Sequence, residues 1–206
     1  MKKGLLLGLL LAVVSIVFTV LLTKVDVQPI GPQNSSVGFS SINTKFRVDY
    51  NEKYYKVSKY LGYAALLIPG VYALIGLIQL VKGKSLAKVD KRLYILAIFY
   101  VLVLATYMLF EKVIINYRPV ILDEGLEASY PSSHTLMAIF FCMSAIVMNR
   151  EMFKGKSALI NVCLFLLCCG VIVGRVMSGV HWFTDIIGAL LIASTYITFF
   201  KALVKE

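Results

Sequence analysis

Three polar motifs interrupt a long apolar stretch of the chain, and their side chains are of the types that can bind and cleave phosphate groups. They are a first motif from Lys112 to Pro119, a second motif from Pro131 to His134, and a third motif from Arg175 to Asp185. Both histidines of the protein lie in these motifs. Each motif stands at the edge of a hydrophobic run, so all three could meet at one membrane surface.

The third motif places an imidazole and a carboxylate four residues apart, at His181 and Asp185. On a helix this spacing puts both side chains on one face. A carboxylate that accepts the proton of one imidazole nitrogen fixes the tautomer and leaves the other nitrogen free as a nucleophile. The pair is therefore a candidate nucleophile with its orienting acid. It is also compatible with an aspartate that stabilises a helix start beside an interfacial histidine.

The second motif has the composition of a helix start. Pro131 ends any preceding helix, and Ser132 or Ser133 can cap the helix that follows. His134 then lies in the first turn, where free backbone N–H groups can bind a phosphate. Its imidazole is placed to act as a general acid on a leaving group. The simpler alternative is an ordinary capping motif that happens to contain a histidine.

Cations come from the first and third motifs. The guanidinium groups of Arg118 and Arg175 can each grip phosphate oxygens with a planar fork, and Lys112 adds a point charge. Any one of these residues could instead be a basic side chain that reaches from the apolar region to the membrane surface. A single phosphate site accounts for all three cations, both histidines and the carboxylate together, whereas the alternatives must each hold separately.

The composition indicates the elements that position these residues. Hydrophobic residues make up 59% of the 206 residues, and the mean hydropathy is +0.83, which is too apolar for a soluble domain of this size. A helix needs roughly 20 mostly apolar residues to cross a membrane. Six such runs predict spans over about residues 4–23, 60–81, 93–110, 134–149, 157–174 and 183–203. We therefore predict an all-α integral membrane bundle of six transmembrane helices that forms one domain, residues 1–206.

Charges between the spans indicate the orientation. Of the 21 Lys and Arg residues, 12 fall on the side of the two chain ends together with three acidic residues, and the other side has nine basic and eight acidic residues. Because Lys and Arg favour the cytoplasmic side, we predict cytoplasmic termini and an extracytoplasmic active site. The net charge of +10 is spread over these connections, so we expect no nucleic-acid partner.

The longest polar segment, residues 24–59, mixes aromatic and basic side chains, as segments at a bilayer surface do. We predict that it is an extracytoplasmic interfacial segment that anchors the protein. The alternative is a cap that guides lipid headgroups into the site.

The three motifs resemble the tripartite signature of the type 2 phosphatidic acid phosphatase superfamily, which reads Lys-x6-Arg-Pro, Pro-Ser-Gly-His and Ser-Arg-x5-His-x3-Asp. Arg118-Pro119 and the spacing of the third motif match this signature, with Ser133 in place of Gly and Gly174 in place of Ser. The six-span layout is similar to the membrane branch of the family, which includes phosphatidylglycerophosphatase B. One departure is that Lys112 stands one residue too close to the arginine, and Glu111 occupies the position of the family lysine.

The resemblance implies a mechanism that needs no metal and no cofactor. It implies that His181 attacks the terminal phosphorus and forms a phosphohistidine, that Asp185 holds His181, and that His134 protonates the leaving oxygen and then activates water. The phosphate-binding residues that it implies are Arg118, Arg175, Lys112, Ser132 and Ser133.

For the substrate, the resemblance to small bacterial members of the family implies undecaprenyl pyrophosphate in the bacterial plasma membrane. Phosphatidylglycerophosphate and phosphatidic acid, or a broad range of lipid phosphates, are the alternatives. The expected partners are the lipid phosphate and the surrounding membrane lipids. A different class also fits the cations: a non-catalytic membrane protein that binds or transports lipid headgroups and has no need of a nucleophilic histidine.

Overall fold

Seven α-helices make up most of the chain in the computed structural model, which describes residues 2–123, 125–153 and 157–205. In chain order they are α1 (Lys2–Leu22), α2 (Ser40–Lys45), α3 (Glu52–Gly83), α4 (Lys91–Lys112), α5 (Ser133–Phe153), α6 (Ala158–Met177) and α7 (Phe183–Val204). Of these described helices, all except the short α2 are long and apolar enough to cross a membrane. The predicted all-α bundle of six spans is therefore confirmed, and the protein is a multi-pass membrane protein.

Helix α3 begins eight residues before the apolar run of 60–81 from which it was predicted. Asn51 caps the helix, because its side-chain oxygen accepts a hydrogen bond from the Tyr54 amide at 3.2 Å. Glu52 in the first turn pairs with Lys56 one turn later at 2.6 Å. These polar side chains, which resemble those of a surface segment, therefore start the helix. As a result, the last eight residues of the predicted interfacial segment belong to α3.

Helix α5 lies at the centre of the bundle and packs against α3, α4, α6 and α7. Aromatic rings from three helices meet on one of its sides: the centroid of Phe140 in α5 lies 6.0 Å from that of Phe99 in α4 and 6.1 Å from that of Phe200 in α7. Such pairs add to the stability that burial provides. A helix packed on so many sides holds its first turn, which carries the second motif, in a fixed position.

Helix α1 packs along α7 through small residues. A side chain at Gly8 would meet the Phe199 ring at 2.8 Å, so the glycine allows the two helices to approach closely. The hydroxyl groups of Ser15 and Thr195 also share a hydrogen bond at 3.2 Å. This contact supports α7, whose first turn carries Asp185.

All three motifs lie at the same end of the bundle. The connection between α4 and α5 bonds directly to the start of α7, since the Asn116 amide reaches Asp185. Lys2 and Val204 lie at the opposite end, together with the basic connection between α3 and α4. Lys154, Lys156 and Glu206, which entered the charge distribution above, lie outside the described residues.

The connection between α1 and α3 packs on the start of α7. Asn43 of α2 is fully buried, its side-chain amide donates to the Thr184 hydroxyl at 3.0 Å, and its oxygen accepts from the Thr184 backbone N–H at 3.1 Å. The Phe46 ring stacks on Phe183 with 4.8 Å between centroids. This connection therefore contacts the third motif, as a cap on the site would, and its role as an anchor at the bilayer surface stays a prediction.

Candidate active site

The second and third motifs are joined at the starts of two helices. Asp185 lies in the first turn of α7, and its carboxylate accepts a hydrogen bond from the Trp182 backbone N–H at 2.8 Å. Its backbone carbonyl accepts a hydrogen bond from the Ser132 N–H at 3.2 Å, directly before α5. The two helix starts are thus fixed relative to each other by backbone groups, whichever side chains they carry.

His181 lies in the turn before α7 rather than on the helix, so the expected shared helical face with Asp185 does not form. The side chain of His181 is 2% exposed, and its Nδ1 lies 3.7 Å from the nearer oxygen of Asp185, too far for a hydrogen bond. The Ser129 hydroxyl stands between them, 3.1 Å from Nδ1 and 2.5 Å from Asp185 Oδ2. A hydroxyl bridge therefore takes the place of the predicted direct contact.

With Asp185 ionised, this bridge sets the tautomer of His181. The one hydrogen of the Ser129 hydroxyl is donated to the Asp185 carboxylate. The hydroxyl oxygen can then only accept a hydrogen bond from the imidazole, which puts the proton on Nδ1. Nε2 is left with a free lone pair, which is the state that a nucleophile needs.

Asp185 is fully buried and is held by donors from separate parts of the chain. Besides Trp182 and Ser129, the Asn116 side-chain amide donates to Asp185 Oδ1 at 3.0 Å. Backbone pairing brings Asn116 and Ser129 together, because the Ser129 N–H donates to the Asn116 carbonyl at 3.0 Å. Sequence reasoning missed both residues. The sequence signal that could have found them is their position. Asn116 lies two residues before Arg118, and Ser129 lies two residues before Pro131.

The two arginines that act electrostatically on His181 have donors without an acceptor. Arg175 is only 1% exposed, and its Nε and Nη1 have no hydrogen-bond partner among the described residues. Arg118 Nε and His181 Nε2 also have no hydrogen-bond partner among the described residues. The other side of the Arg118 guanidinium pairs with Glu127 at 2.8 Å. Buried donors without partners cost stability unless an acceptor binds, so the cluster is suited to a bound anion.

The surroundings also set the charge of the imidazole. Burial lowers the pKa of His181 well below its usual value, and the positive charges of Arg118 and Arg175 lower that pKa further. The ring is therefore neutral at neutral pH, and its free lone pair stays available.

His134 is the second residue of α5 and faces α3. A Cβ atom at Gly62 would lie 2.6 Å from Cδ2 of the His134 ring, so the glycine makes room for the imidazole. Ser132 is buried directly before the helix, and its hydroxyl donates to the Thr135 hydroxyl at 2.9 Å instead of accepting a backbone N–H. The first N–H groups of α5, beginning with Ser133, have no acceptor within the helix and remain available to an anion.

The lysine of the first motif is not part of this cluster. Lys112 is exposed in the last turn of α4, and in the described part of the chain no hydrogen bond or ion pair joins it to the other motif residues. Glu111 is also exposed, but it lines a narrow cavity together with Ser133 and His181. The structure thus brings together the predicted histidines, arginines, serines and aspartate, and leaves Lys112 outside.

Comparison with known proteins agrees with this fold and site. The family model of the PAP2 superfamily matches residues 5–206, so the chain belongs to this superfamily. Together with the six spans, this defines a membrane PAP2-type phosphatase.

No curated protein matches the chain. Among solved structures, the chain is similar to the transmembrane PAP2-type phosphatidylglycerolphosphate phosphatase from Bacillus subtilis. The TM-score is 0.62 at 13% sequence identity, and the match covers 96% of this chain and 94% of that one. At this identity the likeness establishes the shared fold.

Replacement of Ser129 tests the hydroxyl bridge. Ser129→Ala removes the acceptor of Nδ1–H and one donor to Asp185. Because a buried hydrogen bond is lost, we expect kcat for phosphate release to fall about 10- to 100-fold with little change in KM. Ser129→Thr keeps the hydroxyl and should retain most of the activity. Ser36→Ala, at an exposed serine, is the control. Wild-type kcat in Ser129→Ala would show that the bridge does not position His181.

The ionisation of His181 can be measured directly, because the protein has only two histidines. In ¹⁵N NMR of histidine-labelled protein in detergent, the His134→Gln variant assigns the remaining signal. We expect His181 to be neutral at pH 7 with its proton on Nδ1, and to titrate well below the ordinary value of about 6.5. Because the unfolded chain binds this proton at higher pH than the folded chain, folding stability should decrease as pH falls below about 6.5. An imidazolium signal at pH 7 would contradict this account.

Proposed function

We propose that the protein is a lipid phosphatase that removes the terminal phosphate of undecaprenyl pyrophosphate, and also acts on phosphatidylglycerophosphate, through a phosphohistidine intermediate. The observation that carries the proposal is the environment of His181 Nε2. This nitrogen is buried without a partner, and the positive charges of Arg118 and Arg175, which also have unpartnered nitrogens, act on the same imidazole. A nucleophile next to a site for an anion is the arrangement that phosphoryl transfer to the enzyme requires.

In the first proposed step, the lone pair of His181 Nε2 attacks the terminal phosphorus. The bond between phosphorus and the leaving oxygen breaks, and its electron pair stays on that oxygen, which takes a proton from His134. The dianionic substrate favours the protonated form of His134 in the complex. Ser129 stabilises the positive imidazole of the phosphohistidine by accepting the hydrogen bond from Nδ1, and the Asp185 carboxylate accepts the hydrogen bond from Ser129.

In the second proposed step, His134 takes a proton from water, and the water oxygen attacks phosphorus. The bond between phosphorus and Nε2 breaks, inorganic phosphate leaves, and His181 is neutral again. Arg118, Arg175 and the first N–H groups of α5 stabilise the negative phosphoryl oxygens in both transition states. Because these groups supply the positive charge, we propose that the reaction needs neither a metal nor a cofactor.

The position of the site supports a lipid substrate. The cluster lies at one end of the helical bundle, and the flanking helices expose large apolar side chains such as Leu67, Val101 and Val173 along their length. A lipid tail beside these helices can place its headgroup at the helix ends. The excess of Lys and Arg at the other end supports an extracytoplasmic site and cytoplasmic termini. Undecaprenyl pyrophosphate remains our first choice, and hydrolysis of phosphatidic acid or of many lipid phosphates is the alternative.

Phosphate release from purified protein in detergent, with a chelator present, tests this proposal. The substrates are undecaprenyl pyrophosphate, phosphatidylglycerophosphate, phosphatidate and soluble pyrophosphate. We expect the highest kcat/KM for undecaprenyl pyrophosphate, and a loss of at least about 10³-fold in His181→Ala, because the proposed covalent intermediate forms on this imidazole. Rapid quenching with ³²P-labelled substrate should trap an acid-labile label on the wild-type protein only.

Two results would contradict the proposal. A His181→Ala variant that binds lipid phosphates as the wild type does, where neither protein releases phosphate, would favour the non-catalytic class of headgroup-binding protein. Activity that requires added divalent ions would exclude the proposed metal-independent route.

A further inference from the structure

One face of α3 contributes to the site, although no motif lies on this helix. Tyr55, Ser58, Lys59 and Gly62 are spaced so that they share one side of the helix. Gly62 contacts the His134 ring, and a Cβ atom at Gly174 in α6 would lie 2.7 Å from Cβ of Ser58. Lys59 lies between these two contacts and is half-buried. Lys59 is therefore on the side of α3 that faces the site.

Lys59 and Arg175 approach the same aromatic ring. Lys59 Nζ lies 5.9 Å from the centroid of the Tyr55 ring, and Arg175 Cζ lies 5.3 Å from it. Both distances are within the range of cation–π attraction. The charge of Lys59 also acts on the imidazole of His134, as does that of Arg175. Tyr55 thus holds a second cation next to the proposed general acid.

The neighbouring lysine shows that this arrangement is particular to Lys59. Lys56 lies three residues earlier on α3, its side chain is 62% exposed, and it pairs with Glu52 at 2.6 Å. For Lys59, no ion pair with a carboxylate is found among the described residues. Like charges brought together away from water repel each other, so Lys59 and Arg175 together favour the binding of an anion between them.

The side of the site on which Lys59 lies indicates which part of a substrate it meets. In the proposed mechanism, Arg118 and Arg175 hold the phosphoryl group that is transferred, and His134 protonates the leaving oxygen. The charge of Lys59 acts on His134, and Lys59 lies one helical turn from Gly62, which contacts the His134 ring, so we place Lys59 on the leaving-group side. In a lipid diphosphate the leaving group is itself a phosphate, whereas in a lipid monophosphate it is a neutral alcohol.

We propose that Lys59 binds the leaving-group phosphate of a diphosphate headgroup and thereby selects lipid diphosphates over lipid monophosphates. This inference rests on the proposed function and specifies its substrate class. Lys59 of α3 is also a third cation for the site. Lys112 of the first motif, in contrast, remains exposed at the end of α4.

The test uses two substrates with the same tail, farnesyl pyrophosphate and farnesyl phosphate, with full-length protein in detergent. We expect Lys59→Gln to lower the ratio of kcat/KM for pyrophosphate over kcat/KM for monophosphate about 10- to 100-fold, the effect of losing one hydrogen bond between charged groups. Lys59→Arg should keep most of the preference. Lys56→Gln is the matched control on the same helix and should keep the wild-type ratio.

An unchanged ratio in Lys59→Gln would overturn the inference, whether both substrates lose activity equally or neither does. Equal losses would place Lys59 at the transferred phosphoryl group instead. Binding is measured separately by calorimetry with orthophosphate and with methylenediphosphonate, an analogue of pyrophosphate that the enzyme cannot hydrolyse. We expect Lys59→Gln to weaken binding of the analogue at least about tenfold more than orthophosphate binding. Equal weakening would also overturn the inference, while a wild-type protein that hydrolyses neither farnesyl substrate would count against the proposed function alone.

Discussion

The site depends on the hydrogen bonds that converge on Asp185. The carboxylate of this buried residue accepts bonds from the Asn116 side chain in the first motif and the Trp182 backbone in the third, and its backbone carbonyl accepts one from the Ser132 N–H in the second. Ser129 adds a fourth bond and extends the network to His181. A buried carboxylate is stable only when such donors surround it. Asp185 therefore joins the three motifs, besides orienting the proposed nucleophile.

The cations of the site are placed in the opposite way, with fewer partners than they can bind. Arg175 is almost fully buried, and two of its nitrogens have no acceptor in the described residues. Keeping a guanidinium in this state lowers the stability of the empty protein, and a phosphate that supplies the missing acceptors recovers it. Arg118 is only partly paired, since one side of its guanidinium contacts Glu127 and its Nε has no acceptor in the described residues.

Much of the fold follows from local patterns in the sequence. The six apolar runs predicted the six spans, and the positions of the three motifs at the ends of those runs predicted that they could meet. These patterns depend on hydrophobicity and on the sequence order of the spans. The extracytoplasmic orientation, the preferred lipid and the roles of the site residues stay predictions, since they depend on the membrane and on chemistry.

The details of the site depended on contacts that sequence spacing does not encode. The bridge by Ser129 joins residues 52 and 56 positions apart, and no periodicity relates them. The start of α3 was missed because Asn51 and Glu52 extend the helix beyond its apolar run, into a stretch with the composition of a surface segment. This misplacement also hid Lys59, which seemed to belong to that segment and instead lies on a helix facing His134.

A structure of the protein with orthovanadate bound tests the central claim most directly, because vanadate adopts the geometry of a phosphoryl group under attack. We predict vanadium bonded to Nε2 of His181, with its oxygens bound by Arg118, Arg175 and the first N–H groups of α5. Vanadate bonded to His134, or bound away from both histidines, would contradict the claim that the three motifs form one phosphoryl-transfer site with His181 as its nucleophile.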